Sequence, residues 1–315
     1  MIVTDELPPE LIPAVDLLLE RSRAHDGAAA LDEAARFALH GESSEGALHL
    51  LLTEDGENSR ASARVLGYVS VLTDGTTQGT VDPDRRRRGL GAELLAEALS
   101  RRPDAGVWAH GALEDSVRFL RAHGLEAVRE LLTMSRPLGE GAPAVPVREP
   151  RDERIELSTF DPERDADAWV RVNARAFADH PEQGRLTRAD LEARMAEPWF
   201  DAEDFHVARR EGDLVGFVWI KRERSGSSDG DTAADTDASE GGDTQDEVYA
   251  VGTDPSAAGQ GIAGALLTTA LGSLQARGAR EVTLYVEGDN ASALALYEHL
   301  GFVISGRDLQ FCTAA

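Results

Sequence analysis

The feature that most constrains this chain is a motif that occurs twice, with the same order of residue types. The string VDPDRRRRGLGAELLAEAL, which begins at Val81, aligns with TDPSAAGQGIAGALLTTAL, which begins at Thr253, at an offset of 172 residues. Farther along, His-Gly-Leu at 123–125 aligns with Leu-Gly-Phe at 300–302 at an offset of 177. Near-constant spacing over two separate strings predicts a duplicated domain of ~150 residues, which is a common domain size.

Two stretches without hydrophobic periodicity punctuate the 315-residue chain. Pro137–Pro150 contains four prolines and two glycines, which argue against a regular helix or a central strand. We therefore predict a first domain over 1–137, a linker over 138–150 and a second domain over 151–315. Ser225–Asp246 holds seven acidic residues and no basic one. Because it cannot offset its ordering entropy by burial, we predict a disordered acidic loop there.

The local patterns of the two halves also match. Runs of apolar and β-branched residues predict strands, and helical spacing of apolar residues predicts amphipathic helices. Meander strands followed by strand–helix–strand–helix units imply an α/β fold, with a mixed sheet of the α+β kind and helices packed on it. The predicted strands are Leu48–Thr53, Val65–Thr73, Val107–His110, Phe205–Arg209, Leu214–Lys221, Val248–Val251 and Glu281–Val286. The predicted helices are Leu90–Leu99, Ser116–Ala122, Ile262–Ala276 and Ala291–His299.

Charge and composition limit the classes of partner. The formal net charge is −25, which disfavours binding to nucleic acid or to an anionic membrane surface. A single cysteine, Cys312, leaves no intramolecular disulfide and no cysteine-based metal site. No apolar run reaches membrane-spanning length, and the first residues do not resemble a signal peptide. We expect a cytoplasmic monomer that acts on a small molecule, with no metal, nucleic-acid or membrane partner.

Each copy of the motif contains a glycine turn that leads into a helix. In Val251–Gly264 a strand ends, Asp254-Pro255 turns the chain, and small residues precede the helix. Backbone N–H groups at a helix start have no intrahelical partner, so small side chains there let a phosphate approach them. Arg85–Gly91 has the same construction with four arginines added. Taken alone, such a turn is equally typical of ordinary turn chemistry.

Both turns resemble the pyrophosphate loop of the GNAT superfamily of N-acetyltransferases, whose pattern is Gln/Arg-x-x-Gly-x-Gly/Ala. The first copy fits it at all three positions: Arg86, Gly89 and Gly91. The second copy fits at Gly261 and Ala263, while Ala258 stands where Gln or Arg is usual. The second copy also carries the later motif of the superfamily, Asn-x-x-Ala-x-x-x-Tyr-x-x-x-Gly-Phe, over 290–302. The resemblance implies acetyl-CoA as co-substrate.

The resemblance also implies which residues perform the chemistry. Such enzymes often use a carboxylate on the strand before the loop as base and a tyrosine in the last helix as acid, which here are Glu247 and Tyr297. Backbone N–H groups near Val251 would face the thioester carbonyl. In the first copy the aligned positions hold Gly75 and Leu120. We therefore expect the first domain to be non-catalytic and the second to carry the activity.

Several strings resemble the mycothiol synthase family, whose members have two tandem GNAT domains and an active second domain. They are WAHG at 108–111, RELLTMSRPL at 129–138, HPEQG at 180–184, WFD at 199–201, EVYAVGTDP at 247–255 and LYVEGDN at 284–290. This resemblance implies transfer of an acetyl group from acetyl-CoA to the cysteinyl amine of desacetylmycothiol, the last step of mycothiol biosynthesis.

The same resemblance assigns residues to three sites. Its substrate contacts are Glu33, Glu182, Lys221, Glu247 and Tyr285. Its acetyl-CoA site in the second domain is Val251, Gly252, Thr253, Ala258, Gly259, Gln260, Gly261, Ile262, Ala263, Gly264, Asn290, Ala291, Ser292, Ala293, Leu294 and Ala295. A second acetyl-CoA in the first domain would be held by Gly79, Thr80, Val81, Arg87, Arg88, Gly89, Leu90, Gly91 and Ala92.

Two alternatives stay open at the level of sequence. One is a GNAT acetyltransferase for another amine, such as a protein N-terminus, an amino sugar or an antibiotic. The other is a non-catalytic module that binds acetyl-CoA, against which the retention of Glu247 and Tyr297 argues.

Overall fold

The computed structural model describes residues 1–41, 46–54, 64–178, 181–224 and 244–314, with backbone only at 181, 182, 224 and 244. The chain divides into two compact units. Unit 1 comprises Met1–Leu132, Glu287–Asp289 and Gly306–Ala315, and unit 2 comprises Thr133–Val286 and Asn290–Ser305. The predicted domain boundaries at 137 and 150 stay a prediction.

Strands and helices follow one another along the chain in the order predicted for an α/β fold. The strands are β1 (Ile2–Thr4), β2 (Ala47–Thr53), β3 (Val65–Leu72), β4 (Thr76–Val81), β5 (Gly106–Ala109), β6 (Leu125–Pro137), β7 (Ile155–Thr159), β8 (Phe205–Arg210), β9 (Asp213–Arg224), β10 (Thr244–Thr253), β11 (Glu281–Glu287) and β12 (Val303–Thr313). The helices are α1 (Ile12–Asp26), α2 (Glu33–His40), α3 (Leu90–Arg101), α4 (Glu114–Ala122), α5 (Pro162–Ala176), α6 (Pro181–Gly184), α7 (Arg188–Met195), α8 (Ile262–Ala276) and α9 (Ala291–His299).

The sheet of unit 1 has the strand order β1-β2-β3-β4-β5-β12. The first four strands pair antiparallel, and β4 then pairs parallel with β5 through Thr76↔Gly106 and Thr77↔Val107. The last strand of the chain, β12, pairs antiparallel with β5. The parallel β4–β5 pair is joined by α3, the strand–helix–strand unit that the sequence predicts.

The C-terminal strand supplies part of the hydrophobic core of unit 1. Phe311 on β12 is fully buried and packs in one cluster with Leu95, Val107, Leu120 and Leu125. Phe311 also faces β5 in the register of the sheet, where it pairs with Val107. Residues near the C-terminus therefore help to complete the unit that holds the N-terminus.

The sheet of unit 2 has the strand order β11-β10-β9-β8-β7. Strand β10 pairs parallel with β11, and the remaining neighbours pair antiparallel. Its core is rich in aromatic side chains: Trp169 of α5 meets Phe205, Phe217 and Trp219 edge-on at ring-centroid distances of 6.0, 5.4 and 6.0 Å. Edge-to-face packing of this kind adds to the free energy of apolar burial.

One predicted boundary is wrong. The acidic loop was expected to extend to Asp246, but β10 begins at Thr244 and β9 continues to Arg224. The reason is an ion pair: Asp246 is buried, and Arg222 Nε donates a hydrogen bond to its Oδ1 at 2.6 Å across the strand pair. The rest of the predicted loop, 225–243, lies outside the described residues.

Two features of the structure bear on the predicted partners. Within the described part of the chain, none of the helices is sufficiently long and apolar to cross a membrane. Over the same residues, His, Cys, Asp and Glu form no group of three placed to hold a metal ion. The expectations about membranes and metals stay predictions.

We predict that Phe311→Ala lowers the free energy of unfolding by about 3–5 kcal/mol, since it leaves a cavity in a packed core. Urea unfolding followed by circular dichroism measures this. Ile304→Ala, an exposed position on the same strand, is the control and should change the free energy by less than about 0.5 kcal/mol. Equal, small losses for the two variants would contradict the role assigned to Phe311.

Candidate active site

The loop that follows β10 is shaped to present backbone N–H groups. A short 3-10 turn, Pro255–Ala257, follows Asp254, and Gly259 and Gly261 then take positive φ angles of 74° and 75°. Gly261 is the N-cap of α8, and because glycine has no side chain, no side-chain hydrogen bond caps the helix. The N–H groups of the first turn of α8 are therefore left for an anion, where the helix dipole also favours negative charge.

A buried aspartate paired with an arginine holds this loop in place. Asp254 Oδ1 accepts a hydrogen bond from Ser256 N–H at 2.9 Å, and its Oδ2 accepts one from Arg175 Nε of α5 at 2.7 Å. Burial raises the pKa of Asp254, but the hydrogen bonds from Ser256 and Arg175 outweigh it and hold that pKa below its usual value. The start of the loop is thus tied to the first long helix of unit 2.

Unit 1 repeats this construction at the same place in its own sheet. Asp82 is buried and accepts hydrogen bonds from Asp84 N–H at 3.0 Å, from Arg21 Nη1 of α1 at 2.9 Å and from Arg64 Nη2 at 2.8 Å. Gly89 is the N-cap of α3 with a φ of 87°. The repeat seen in the sequence therefore extends to the anchoring of the loop by an arginine of the first helix.

The arginines of the unit 1 loop are engaged differently. Arg86 donates to Val81 O at 3.0 Å and to Asp26 Oδ1 at 2.7 Å. The hydrogen bond from Arg86 is the main cause that lowers the pKa of Asp26 to about 2. Arg87 and Arg88 are exposed, and Arg87 has a positive φ of 63°. The hydrogen bonds of Arg86 thus stabilise the loop, while Arg87 and Arg88 face solvent.

A cavity of about 610 Å³ borders this loop in unit 1. Its volume lies in the range of sites for small molecules and cofactors, about 300–1,000 Å³. Apolar side chains form one wall, among them Leu94, Trp108 and Phe119. The cavity is also lined by these residues predicted to bind acetyl-CoA: Gly79, Thr80, Val81, Arg87, Gly89, Leu90, Gly91 and Ala92.

Strand register in unit 2 brings three predicted substrate residues to one region of the sheet. Glu247 of β10 is the partner of Lys221 on β9 and of Thr283 on β11. Tyr285 follows two residues after Thr283, so it projects from the same face. Directly opposed residues have Cβ atoms about 4.5–5.5 Å apart. Lys221 is buried, Glu247 is half-buried and Tyr285 is exposed.

An aromatic cluster lies beside the buried lysine. Lys221 Nζ lies 5.5 Å from the ring centroid of Trp199, and Trp199 lies 5.3 Å from Tyr249 and 5.6 Å from Trp219 between ring centroids. Tyr249 sits at a β-bulge between Val248 and Ala250, a device that redirects side chains near active sites. Tyr249 was not predicted as a site residue. The signal available for Trp199 was its place in the WFD string.

The predicted acid and the predicted cap lie together on α9. Asn290 is the N-cap, and its Oδ1 accepts a hydrogen bond from Ala293 N–H at 3.1 Å. Tyr297 is buried, and burial raises its pKa to about 12. The preceding residue, Leu296, lies beside the first turn of α8, 3.6 Å from where a Cβ at Gly264 would be. Helix α9, which begins with the predicted acetyl-CoA segment Asn290–Ala295, thus packs against α8, which follows the segment Ala258–Gly264.

Two predicted substrate residues are placed elsewhere. Glu33 is the first residue of α2 in unit 1 and is exposed. Glu182 belongs to the short helix α6 of unit 2, and its side chain lies outside the described part of the structure. Their roles stay predictions.

Comparison with known proteins defines the class of protein. Residues 169–302 match the family described as Acetyltransferase (GNAT) family. A GCN5-related N-acetyltransferase from Sphaerobacter thermophilus shares the fold, with a TM-score of 0.69 and 23% identity, over 98% of this chain and 94% of that chain. A tandem GNAT protein from the clavulanic acid biosynthesis pathway has a TM-score of 0.63 and 17% identity, over 98% and 96%. The fold is that of a GNAT acetyltransferase, as the sequence predicted.

Closer relatives narrow the assignment. Mycothiol acetyltransferase from Brachybacterium faecium is 50% identical over 98% of this chain and 98% of its own length. Mycothiol acetyltransferase from Streptomyces coelicolor is 39% identical over 98% of this chain and 93% of its own. The chain belongs to the mycothiol acetyltransferase family, and the predicted family and enzyme class are confirmed.

The Asp26–Arg86 pair predicts how stability depends on acid. The pKa of Asp26 is about 2 when folded and ~3.9 when unfolded, so its carboxylate stabilises unit 1 above pH 4 and this contribution is lost as pH falls towards 2. Asp26→Asn should therefore be less stable than the parent protein at pH 6, and the difference should shrink at pH 3. Urea unfolding at both pH values measures it, with Asp104→Asn, an exposed carboxylate, as control. A difference that does not change with pH would contradict this.

Proposed function

We propose that this protein transfers the acetyl group of acetyl-CoA to the cysteinyl amine of desacetylmycothiol, within unit 2. The observation that carries the proposal is the 50% identity to a mycothiol acetyltransferase over 98% of both chains. The pairing of Glu247 with Lys221 in the sheet supports it, because it sets two of the predicted substrate contacts side by side. A monomeric, cytoplasmic enzyme is part of the proposal.

Glu247 is proposed as the base. The amine must lose a proton to attack the thioester carbon, and an α-amine has a pKa of ~7.7–8.0, so much of it is already neutral near pH 7.5. A half-buried carboxylate at the sheet surface has access to water through which the proton can leave. Positioning of the amine is therefore expected to matter more than the strength of the base.

Tyr297 is proposed as the acid. After the amine nitrogen bonds to the carbonyl carbon, the C–S bond breaks and the sulfur of CoA takes up a proton. The Tyr297 hydroxyl is protonated at neutral pH, and burial raises its pKa to about 12, which makes it a weak acid. It would therefore give its proton to the sulfur only as negative charge develops there during C–S cleavage. Backbone N–H groups near Val251 would stabilise the oxyanion that forms in between.

The substrate region combines charge with aromatic surface. The substrate carries an ammonium group and many hydroxyls, for which Glu247 and Lys221 supply an acceptor and a donor. Trp199 borders Lys221 and packs against Tyr249, and the two rings offer flat apolar faces on which a sugar ring can pack. Glu33, Glu182 and Tyr285 are retained as proposed contacts.

Unit 1 is proposed to hold acetyl-CoA without turnover. Its cavity adjoins the glycine loop, but Gly75 and Leu120 occupy the positions of the base and the acid. In unit 2 the co-substrate would lie along Val251–Thr253, Ala258–Gly264 and Asn290–Ala295. The small residues there leave room for it: a Cβ at Gly259 would meet no other atom within 4 Å.

Mass spectrometry of the products formed from acetyl-CoA and desacetylmycothiol tests the proposed function. We expect one added acetyl group on the cysteinyl amine and release of free CoA. Peptide N-termini, glucosamine and an aminoglycoside should be offered in parallel. Faster acetylation of one of these amines would assign the enzyme to a different substrate.

We predict that Tyr297→Phe lowers kcat by ~10²–10⁴, the range for loss of general acid–base catalysis, and leaves acetyl-CoA binding nearly unchanged. Only a hydroxyl is removed, so the packing against Phe302 is preserved. Steady-state and single-turnover rates measure the effect. An unchanged single-turnover rate would remove Tyr297 from the role of acid.

A matched pair of substitutions tests the division between the units. Gly264 and Ala92 occupy equivalent positions in the two repeats, in the first turns of α8 and α3. Gly264→Leu should abolish turnover because the side chain would displace Arg148 and Leu296, which lie 3.4–3.6 Å from the position of its Cβ at the start of α8. Ala92→Leu should reduce kcat by less than about twofold. Initial rates after circular dichroism has verified folding decide it. Equal loss of turnover would contradict a working unit 2 and a silent unit 1.

A further inference from the structure

The loop of unit 2 has no positive charge of its own. The segment from Asp254 to Gly264, DPSAAGQGIAG, contains an aspartate and no lysine or arginine, whereas its counterpart in unit 1 contains four arginines. Ala258 occupies the position that Arg86 takes in unit 1. Binding of a polyanion to a protein of net charge −25 needs local cations. In unit 2 these cations must therefore come from residues outside the loop.

Two arginines at the end of the proline-rich segment lie on this loop, Arg148 within the segment and Arg151 directly after it. Arg148 reaches the first turn of α8, where its Nη1 is 3.5 Å from the position of a Cβ at Gly264. Arg151 lies beside Gly261: its Cγ is 3.8 Å from the position of a Cβ there. The guanidinium groups thus approach the helix N-terminus whose N–H groups are open to an anion.

Backbone contacts fix this segment to the loop. Arg151 N–H donates to Gln260 O at 2.8 Å, and Arg151 Nη1 donates to Gly259 O at 3.3 Å. Arg151 is exposed and Arg148 is half-buried, and within the described residues neither forms an ion pair. By contrast, Arg154, three residues farther on, is held by Asp152 and Glu211. Arg148 and Arg151 therefore keep N–H groups available for a ligand.

We propose that Arg148 and Arg151 bind the phosphates of acetyl-CoA in unit 2 and replace the basic side chain that is missing at Ala258. This rests on the proposed use of acetyl-CoA by unit 2. The segment between the two repeats is then part of the co-substrate site as well as a connection. Guanidinium groups suit this role because they donate two parallel hydrogen bonds to a phosphate.

Kinetics of the double variant Arg148→Gln/Arg151→Gln test the proposal. We expect the KM for acetyl-CoA to rise about tenfold, the size of one charge-assisted hydrogen bond, with kcat at saturation nearly unchanged. The KM of the variant should also depend less on salt. Arg148→Lys/Arg151→Lys should recover part of the affinity, and Arg154→Gln is the control and should behave like the parent protein. An unchanged KM, or a lower one because the segment had covered the loop, would overturn the proposal.

Acetyl-dephospho-CoA identifies which phosphate is contacted. If the arginines bind the ribose phosphate, this donor should have a raised KM with the parent protein and lose nothing more in the double variant. If they bind the pyrophosphate, the double variant should weaken both donors equally. Either pattern supports the proposal, and a double variant that weakens neither donor contradicts it.

Chemical labelling gives a readout that does not depend on catalysis. Phenylglyoxal modifies accessible arginines, and peptide mass spectrometry reports each one separately. CoA should protect Arg148 and Arg151 but not Arg154. Labelling that CoA leaves unchanged at both sites would refute the proposal even if acetyl transfer is observed. Protection without transfer to desacetylmycothiol would support the arginine site and would contradict the proposed function.

Discussion

A buried aspartate paired with an arginine fixes the loop on which each unit depends. Asp82 and Asp254 each directly follow a central strand. Both accept a hydrogen bond from the residue two positions on, and both pair with an arginine from the first long helix of their unit. Removing Arg175 would leave the buried charge of Asp254 without its arginine, which is more costly than losing a surface ion pair, whereas Asp82 would keep Arg64 if Arg21 were removed. The position of each glycine turn, and so of the N–H groups at the start of α3 or α8, follows from this pair.

The sequence predicted this arrangement only in part, because its two halves are far apart in the chain. The Asp-Pro turns and glycines are local, and so they stood out in the repeat. Their partners lie 61 and 79 residues earlier, on helices α1 and α5 that were not predicted. Asp161 followed by Pro162 is a helix-start signal that would have located α5. Helix α1 has no side-chain N-cap, so this local signal is missing there. Strand β12 is held by Phe311, which packs with core residues at least 186 positions earlier in the chain. Only tertiary packing determines that contact.

The candidate site shows the same division between local and distant information. The placement of Ile262–Ala276 and Ala291–His299 was predicted to the residue, since apolar spacing and caps mark both helices. Lys221 and Glu247 came from a family resemblance, and only the strand register shows that they are neighbours. No pattern in the sequence indicates that Trp199 and Tyr249 meet beside Lys221, because three separate elements bring them together.

The loss of catalysis proposed for unit 1 is built into its backbone as well as into its side chains. Gly75 stands in the turn before β4 with a φ of 92°, a backbone conformation in which a glutamate would be strained. Leu120 is packed in the core with Leu95 and Phe311, where a tyrosine would exceed the available volume. Restoring the acid and the base would therefore require a longer β4 and a repacked core, whereas the cavity beside the glycine loop requires neither.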